Sequence, residues 1–301
     1  MFIKLSELWF DTYIIGTHKL NDDISFINQS IKIRIIKNNF SEIKERDYDI
    51  LMVNSDQTWT KMDKHFYDIA FLRFAKKWRK KKFIYGASLG YDYWTFTQED
   101  EKMAKGNLKR FTGISVREKG SISKIEKHLN FKPILVLDPT LLINKKYYLN
   151  LITNYKGKRI SNKYKYIFTY IFLKENNTLN FIKNSALQLG YKIFNVKKKH
   201  NNSIKKFIYG IYNCHAVITN SYHGTIFSII FKKPFISFII KDSPRERLIS
   251  LKETFRIKNR IFEYNQTPDI NLLTIPLNIN YTLIDNLREK SINYLKKNLG
   301  L

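Results

Sequence analysis

The chain holds one cysteine, Cys214, in 301 residues, which excludes an intrachain disulfide and a thiol-rich zinc site. That scarcity fits a reducing compartment, so the cytoplasm is the expected location. Acidic side chains are also few. Against 53 lysines and arginines there are only 26, leaving a net charge of +27 and a surface that draws anions from a distance. Long apolar runs are missing: the longest candidate, Thr225 to Ile240, is broken by Lys232 and Lys233 and falls short of the roughly 18 uninterrupted apolar residues of a spanning helix. Neither a G-x-G-x-x-G pattern nor a Walker lysine is present, so a conventional nucleotide loop is not supported. The six histidines lack ligand spacing such as H-E-x-x-H, and metal-independent chemistry is expected. The start, MFIKLSELWFDTYIIG, carries Glu7 and Asp11 and has no clean apolar stretch or small-residue cleavage site, so it reads as mature sequence.

What is present suffices for a packed core. Apolar residues make up 44% of the chain and aromatics 15%, which rules out wholesale disorder, and the length predicts about two domains. Much of the positive charge is accounted for by lysines scattered over solvated faces. Two clusters stand apart, Lys76-Lys77-Trp78-Arg79-Lys80-Lys81-Lys82 and Lys197-Lys198-Lys199-His200. Neither has the regular aromatic interleaving of an RNA-stacking platform, so nucleic acid is disfavoured as a partner. Peripheral contact with the anionic inner face of a membrane remains an expectation for these clusters.

Short β-branched and aromatic runs alternate with helical patterns, which predicts an α/β architecture with parallel sheets. Strands are expected at Tyr48 to Val53, Phe83 to Tyr85, Gly113 to Val116 and Ile134 to Leu137, with helices at Gln98 to Phe111 and at Ser121 to Leu129, the second capped by Ser121. The second half repeats this style. Strands are expected at Tyr166 to Phe172, Tyr191 to Val196, His215 to Thr219 and Phe235 to Ile240, and helices at Asn177 to Leu189, Ile204 to Asn213 and Ser221 to Phe231. The domain boundary is expected in the polar stretch 144–164, giving domains 1–150 and 151–301. A closing amphipathic helix, Leu283 to Lys297, could lie on either one.

In open α/β sheets ligands bind beyond the carboxyl ends of the strands. Here those ends are polar: Ser55-Asp56-Gln57, Gly86-Ala87-Ser88, Arg117-Glu118, Asp138-Pro139-Thr140 and Asn220-Ser221-Tyr222-His223-Gly224. Each piece has a plain structural reading. Asp56 and Asp138 suit turns and caps, and Arg117 suits a surface ion pair. His223 is better placed, because a helix starting beside it would present orphan N–H groups and its positive dipole end, with Ser221 as cap and Gly224 permitting close approach. Cys214, at the opening of a strand, reads as core packing.

Taken together, Ser55-Asp56-Gln57-Thr58-Trp59, Tyr85-Gly86-Ala87-Ser88-Leu89-Gly90, Ile114-Ser115-Val116-Arg117-Glu118, Leu137-Asp138-Pro139-Thr140 and Asn220-Ser221-Tyr222-His223-Gly224-Thr225 resemble the polysaccharide pyruvyl transferase family from about Tyr48 to Arg260. The resemblance implies two Rossmann-like domains facing across a cleft, as in GT-B glycosyltransferases, and transfer of a pyruvyl group from phosphoenolpyruvate to the hydroxyls of a cell-surface polysaccharide sugar, or of its lipid-linked precursor, forming a ketal. It implies that Arg117 and His223 act at the donor, with a third cation among Lys241, Arg245 and Arg247. Ser221, Gly224, Ser55, Asp56 and Ser88 are further substrate-binding candidates, and no cofactor beyond the donor substrate is expected. Family members open with a strand and a glycine- and asparagine-rich loop that nothing between Met1 and Phe40 reproduces, so a truncated or divergent first domain is expected.

The residue types suit that chemistry. Phosphoenolpyruvate is small and multiply anionic, and guanidinium groups with a helix N-terminus supply charge-assisted bonds to it. Ketal formation needs a proton delivered to the methylene carbon, and His223 is the candidate acid or phosphate partner. Two other functions stay open: a glycosyltransferase using a nucleotide sugar on the same scaffold, with Glu246 or Asp242 holding the ribose, and a degenerate, non-catalytic basic binding protein.

Overall fold

A computed structural model describes residues 40–55, 57–60, 64–153, 155, 164–172, 175–196, 204–257 and 259–301, together with two short strands nearer the start. Those two, β1 (Thr12–Tyr13) and β2 (Ile33–Arg34), pair in parallel. The rest of the opening segment, on which the expectation of a truncated or divergent start falls, lies outside the described residues, as do Asp56 and the cluster 197–200.

The strands β3 (Ile50–Val53), β4 (Lys81–Ala87), β5 (Gly113–Val116) and β6 (Ile134–Leu135) form a sheet in sequential order with every pair parallel. Parallel neighbours need crossovers, and α1 (Lys64–Ala70), α2 (Gln98–Leu108) and α3 (Lys119–Leu129) supply them. Covered on both faces, β4 is buried from Lys82 to Ala87 and reads as a continuous apolar run from Phe83 onward. Thr97 and Asp100 close a capping box at the start of α2.

The short α4 (Pro139–Leu142) and α5 (Lys145–Thr153) lead to a second parallel sheet, built from β7 (Tyr166–Tyr170), β8 (Lys192–Asn195), β9 (Ala216–Thr219), β10 (Phe235–Ile239) and β11 (Ile261–Glu263). Between its strands run α6 (Asn176–Leu189), α7 (Ile204–Asn213), α8 (Tyr222–Ile230) and α9 (Glu246–Thr254). Its order is β8-β7-β9-β10-β11, so the winding reverses between β7 and β9, the place where doubly wound sheets open a ligand crevice.

Two main cores result. Trp59, Phe71, Ile84, Leu108 and Ile125 fill the first, and Phe168, Val217, Ile226 and Phe235 the second. The helix α10 (Tyr281–Leu299) touches both halves. Its first turns place Ile284 in the second core, while farther along Ser291 Oγ accepts from Leu137 N at 2.9 Å and Tyr294 Oη donates to Ile84 O at 2.7 Å, on the first sheet.

Several local expectations change. Ser121 does not cap α3, which begins two residues earlier behind Glu118; instead its hydroxyl donates to Glu118 Oε2 at 3.1 Å inside the first turn. The polar stretch expected to hold the boundary begins as α5, whose Tyr148 and Ile152, one turn apart, are buried in the second core; interspersed lysines and asparagines hide that period in the sequence. The elements α1, α9 and β11 were not anticipated either.

Candidate active site

At the reversal point, Thr219 Oγ1 donates to Tyr170 O at 2.7 Å and Asn220 Oδ1 accepts from Phe172 N at 2.8 Å, tying the ends of β9 and β7 together. The chain then turns into α8. Ser221 caps it by accepting from Gly224 N at 3.3 Å, so its hydroxyl is already engaged. Gly224 has a packing reason: a Cβ there would lie 2.5 Å from Thr219 Oγ1. His223, in the first turn, is partly exposed at the positive end of the helix.

Across from it, Arg117 leaves the end of β5 and is sealed in. Its side chain is 2% exposed, with Nη1 donating to Asp138 Oδ2 at 2.7 Å and to Ser55 Oγ at 3.2 Å, and Nε donating to Glu118 Oε1 at 3.4 Å. Asp138 divides its two oxygens between two tasks. While Oδ2 holds Arg117, Oδ1 accepts from Thr140 N at 3.0 Å and Thr140 Oγ1 at 2.6 Å. Burial pushes the Asp138 carboxyl up, but the Arg117 guanidinium, His223 and the Thr140 donors outweigh it and hold the group below its ordinary value.

Tyr222 links the two sides. Its buried ring lies 5.0 Å from the guanidinium carbon of Arg117, 5.5 Å from that of Arg247 and 5.3 Å from the His223 ring, so two cations share one aromatic ring. Burial, followed by the Asp138 charge, pushes the Tyr222 hydroxyl well up, Arg117 opposing.

The loop after β10 and the start of α9 clasp the first half. Glu246 N donates to Gly90 O at 3.0 Å, Lys124 Nζ donates to Glu246 Oε2 at 3.1 Å, and Lys119 N donates to Ser250 Oγ at 2.8 Å. Gly90 has a φ of +77°, and a Cβ on it would lie 3.1 Å from Pro244 Cβ, so glycine is required twice over. Arg245 pairs with Asp92 of the first half at 3.4 Å and Glu263 of the second at 2.6 Å. The hollow enclosed by Arg117, Asp138, Tyr222 and Ser250 is only about 10 Å³, roughly the space of one water. A space of that size does not admit a ligand of several carbons beside Arg117. A roomier hollow of about 530 Å³ opens elsewhere on the first half, beside Phe74, Lys102 and Arg110, and shares no residue with the strand-end constellation.

Of the residues singled out in the sequence, Ser55, Arg117 and His223 come together, with Arg247 joined through Tyr222. Lys241 is exposed on the loop and Arg245 is committed to its two carboxylates. Ser88 is fully buried at the end of β4, and its hydroxyl has no hydrogen-bond partner among the described residues. Asp242 is exposed and Glu246 is locked to Lys124, so neither lines the crevice. Asp138, Tyr222 and Glu118 were missed as site residues. The Asp-Pro-Thr pattern reads as a cap, which Asp138 is, and the second oxygen leaves no trace in the pattern. Cys214 is buried, donates to Ile211 O at 3.0 Å, and burial pushes its thiol up to about 12. Among the described residues no group of three or more His, Cys, Asp or Glu side chains could hold a metal ion, and no helix is long and apolar enough to cross a membrane.

The fold is GT-B-like. The chain is similar to a candidate UDP-N-acetylglucosamine 2-epimerase from Listeria monocytogenes, with a TM-score of 0.56 over 96% of this chain and 88% of that one at 11% identity. A looser alignment, TM-score 0.21 at 12% identity over 94% of each chain, is with NAD+-bound 3-phosphoglycerate dehydrogenase of Entamoeba histolytica. No curated protein matches the sequence. The family model described as polysaccharide pyruvyl transferase matches residues 4–242, beginning well ahead of the first strand-end motif, and the chain therefore belongs to the polysaccharide pyruvyl transferase family.

Proposed function

We propose that the protein transfers the pyruvyl group of phosphoenolpyruvate to two hydroxyls of a sugar, releasing phosphate and leaving a cyclic ketal. The observation that carries this reading is the gathering of Arg117, His223 and Arg247 around Tyr222 at the reversal point of the second sheet. Arg247 is the third donor cation in this reading, since Arg245 is already paired and Lys241 lies out on the loop.

Phosphoenolpyruvate lands at the mouth of α8, its anionic groups met by the helix N-terminus, His223 and Arg247. Separation of the clasp at Glu246 and Ser250 then gives it access to Arg117. His223 gives a proton to the methylene carbon, which becomes a methyl group, and the adjoining carbon takes the first sugar oxygen as that hydroxyl loses its proton. The carbon–oxygen bond to phosphate breaks, the electron pair leaving with phosphate, and the second hydroxyl closes the ring. One proton from the diol ends on the methyl group and the other on hydrogen phosphate, so the sum balances.

Thermal shift tests the donor. Phosphoenolpyruvate at 100 times its Kd raises stability by about 2.7 kcal/mol, and uridine or guanosine diphosphate leaves it unchanged. Stabilisation by the nucleotides and none by phosphoenolpyruvate would replace this reading with nucleotide-sugar transfer.

A further inference from the structure

We infer that the larger hollow on the first half is a second anion site. It takes the phosphate of an organic phosphate ester through Arg73, Lys76, Lys102 and Arg110, and seats the rest of that molecule against Phe40 and Phe74. The inference does not rest on the donor reading, because the hollow uses no residue of the strand-end constellation.

The hollow lies between α2 and the chain that follows α1, toward the edge where the strands of the first sheet begin. Lys76 comes shortly before β4, Arg110 shortly before β5 and Phe40 ahead of β3, whereas Ser55 and Arg117 follow strands. In a parallel sheet those two sets stand at opposite edges, separated by the seven residues of β4, about 20 Å. Its volume of about 530 Å³ is that of a small-molecule site.

The lining is chemically one-sided. Four cations meet one carboxylate there, and that carboxylate, Asp68, is engaged with Arg73 at 3.3 Å. Arg110 is aimed by its neighbours: its Nη1 donates to Asn107 Oδ1 at 3.0 Å, and the buried Asn107 donates through Nδ2 to Met103 O at 2.8 Å. Two guanidinium and two ammonium groups carry more charge than a single carboxylate ligand offsets, and the guanidinium fork matches phosphate oxygens. Beside them Phe40 and Phe74 stack with ring centroids 5.0 Å apart and planes within 5°. That flat apolar wall suits the organic part of an ester, which inorganic phosphate lacks.

A glycine keeps the space open. Gly106 stands one turn after Lys102 on the same face of α2, with Arg110 just past the helix end. Its φ is not positive, and among the described residues nothing outside its own stretch of helix backbone lies within 4 Å of where a Cβ would stand. Neither the backbone nor packing calls for glycine here, and within a helix glycine lowers stability. What it provides is room for a ligand.

The experiment follows the Met103 methyl group, which lines the hollow, by NMR of the full-length protein labelled with 13C-methyl methionine. The chain has four methionines, and the signal is assigned by its loss in Met103→Leu. With phenyl phosphate as probe, the wild-type signal moves to saturation. In Gly106→Leu, whose net charge is unchanged, and in Lys102→Gln/Arg110→Gln the Kd rises at least about tenfold, while His223→Gln leaves it unchanged. Leucine is a better helix former than glycine, and Lys102 and Arg110 are exposed, so these variants fold. A signal that stays still, drifts in proportion to the probe, or saturates equally in Gly106→Leu overturns the proposal, since long-range attraction to a net charge of +27 needs no hollow. Weakening in His223→Gln overturns it too, by placing the probe at the mouth of α8. Cosedimentation with vesicles of phosphatidylglycerol and phosphatidylcholine then separates two sources of the phosphate. Capture that falls about tenfold in Gly106→Leu assigns it to a lipid headgroup; capture that is absent, or equal in both proteins, assigns it to a soluble ester.

Discussion

At the mouth of the first sheet the cation is sealed: Arg117 is 2% exposed and held by Asp138, Ser55 and Glu118 before any ligand arrives. At the mouth of the second, His223 remains partly exposed on the opening turn of a helix whose cap, Ser221, is satisfied by its own backbone. One side is built as a core, the other as a surface. A buried ion pair costs several kcal/mol of desolvation per ion and keeps its geometry only while every partner is present, whereas a helix terminus keeps its positive end whatever side chain stands there. In the proposed function the first mouth therefore couples activity to stability, and the second leaves them separable.

Substituting each cation breaks the comparison most sharply. Arg117→Met leaves Asp138 and Glu118 buried without their counter-charge and is expected to cost about 3–5 kcal/mol of stability, read as a lower urea midpoint. In His223→Ala the urea midpoint moves little, while ketal formation falls about 10²–10⁴-fold, measured as phosphate release in the presence of acceptor. Equal stability loss in the two variants would erase the distinction drawn between the mouths.

Gly224→Ala has a smaller effect, because it presses a methyl group into Thr219 without touching a charge. Overpacking of this kind costs about 1–3 kcal/mol and should appear as a lower melting temperature, with His223 displaced and kcat reduced in proportion.

The smallest expected effect lies in pH. The Asp138 carboxyl is held below its ordinary 3.8, so its contribution to stability is complete above that value and is lost as pH falls through the lower folded-state value. Glu246 runs the other way: burial raises its carboxyl above the ordinary 4.5, Lys124 opposing, so folding gains from its protonation as pH falls toward 4.5. Melting curves between about pH 3 and 7 should show that gain in the wild type and not in Glu246→Gln, while both lose stability below pH 3.8.

Elements whose residues follow one period were legible in the sequence. The strand Gly113–Val116 and the helix Ile204–Asn213 fall where the pattern puts them, since strong apolar periodicity outweighs local detail. Less so were α9 and α5. The first opens with Pro244-Arg245-Glu246-Arg247, whose charges suggest a loop until the docking of Glu246 against Gly90 is known. Within the site, placing polar residues after strands brings Ser55 and Arg117 to the mouth of the first sheet and His223 to that of the second, because parallel topology puts every such loop of one sheet on the same edge. What the sequence does not carry is the state of those groups. Arg117 reads as part of a surface ion pair, and only tertiary contacts reveal that Asp138, distant in the chain, joins the adjacent Glu118 to hold it in the interior. The sharing of the Tyr222 ring by two guanidinium groups is invisible for the same reason.

The helix α10 bears on how the crevice opens. Its first turns belong to the core of the second half through Ile284, and its later turns are bonded to the first sheet through Ser291 and Tyr294. In the proposed reading, where the clasp at Glu246 and Ser250 separates to admit the donor, a rod bonded to both halves cannot stretch and so restricts them to pivoting about it.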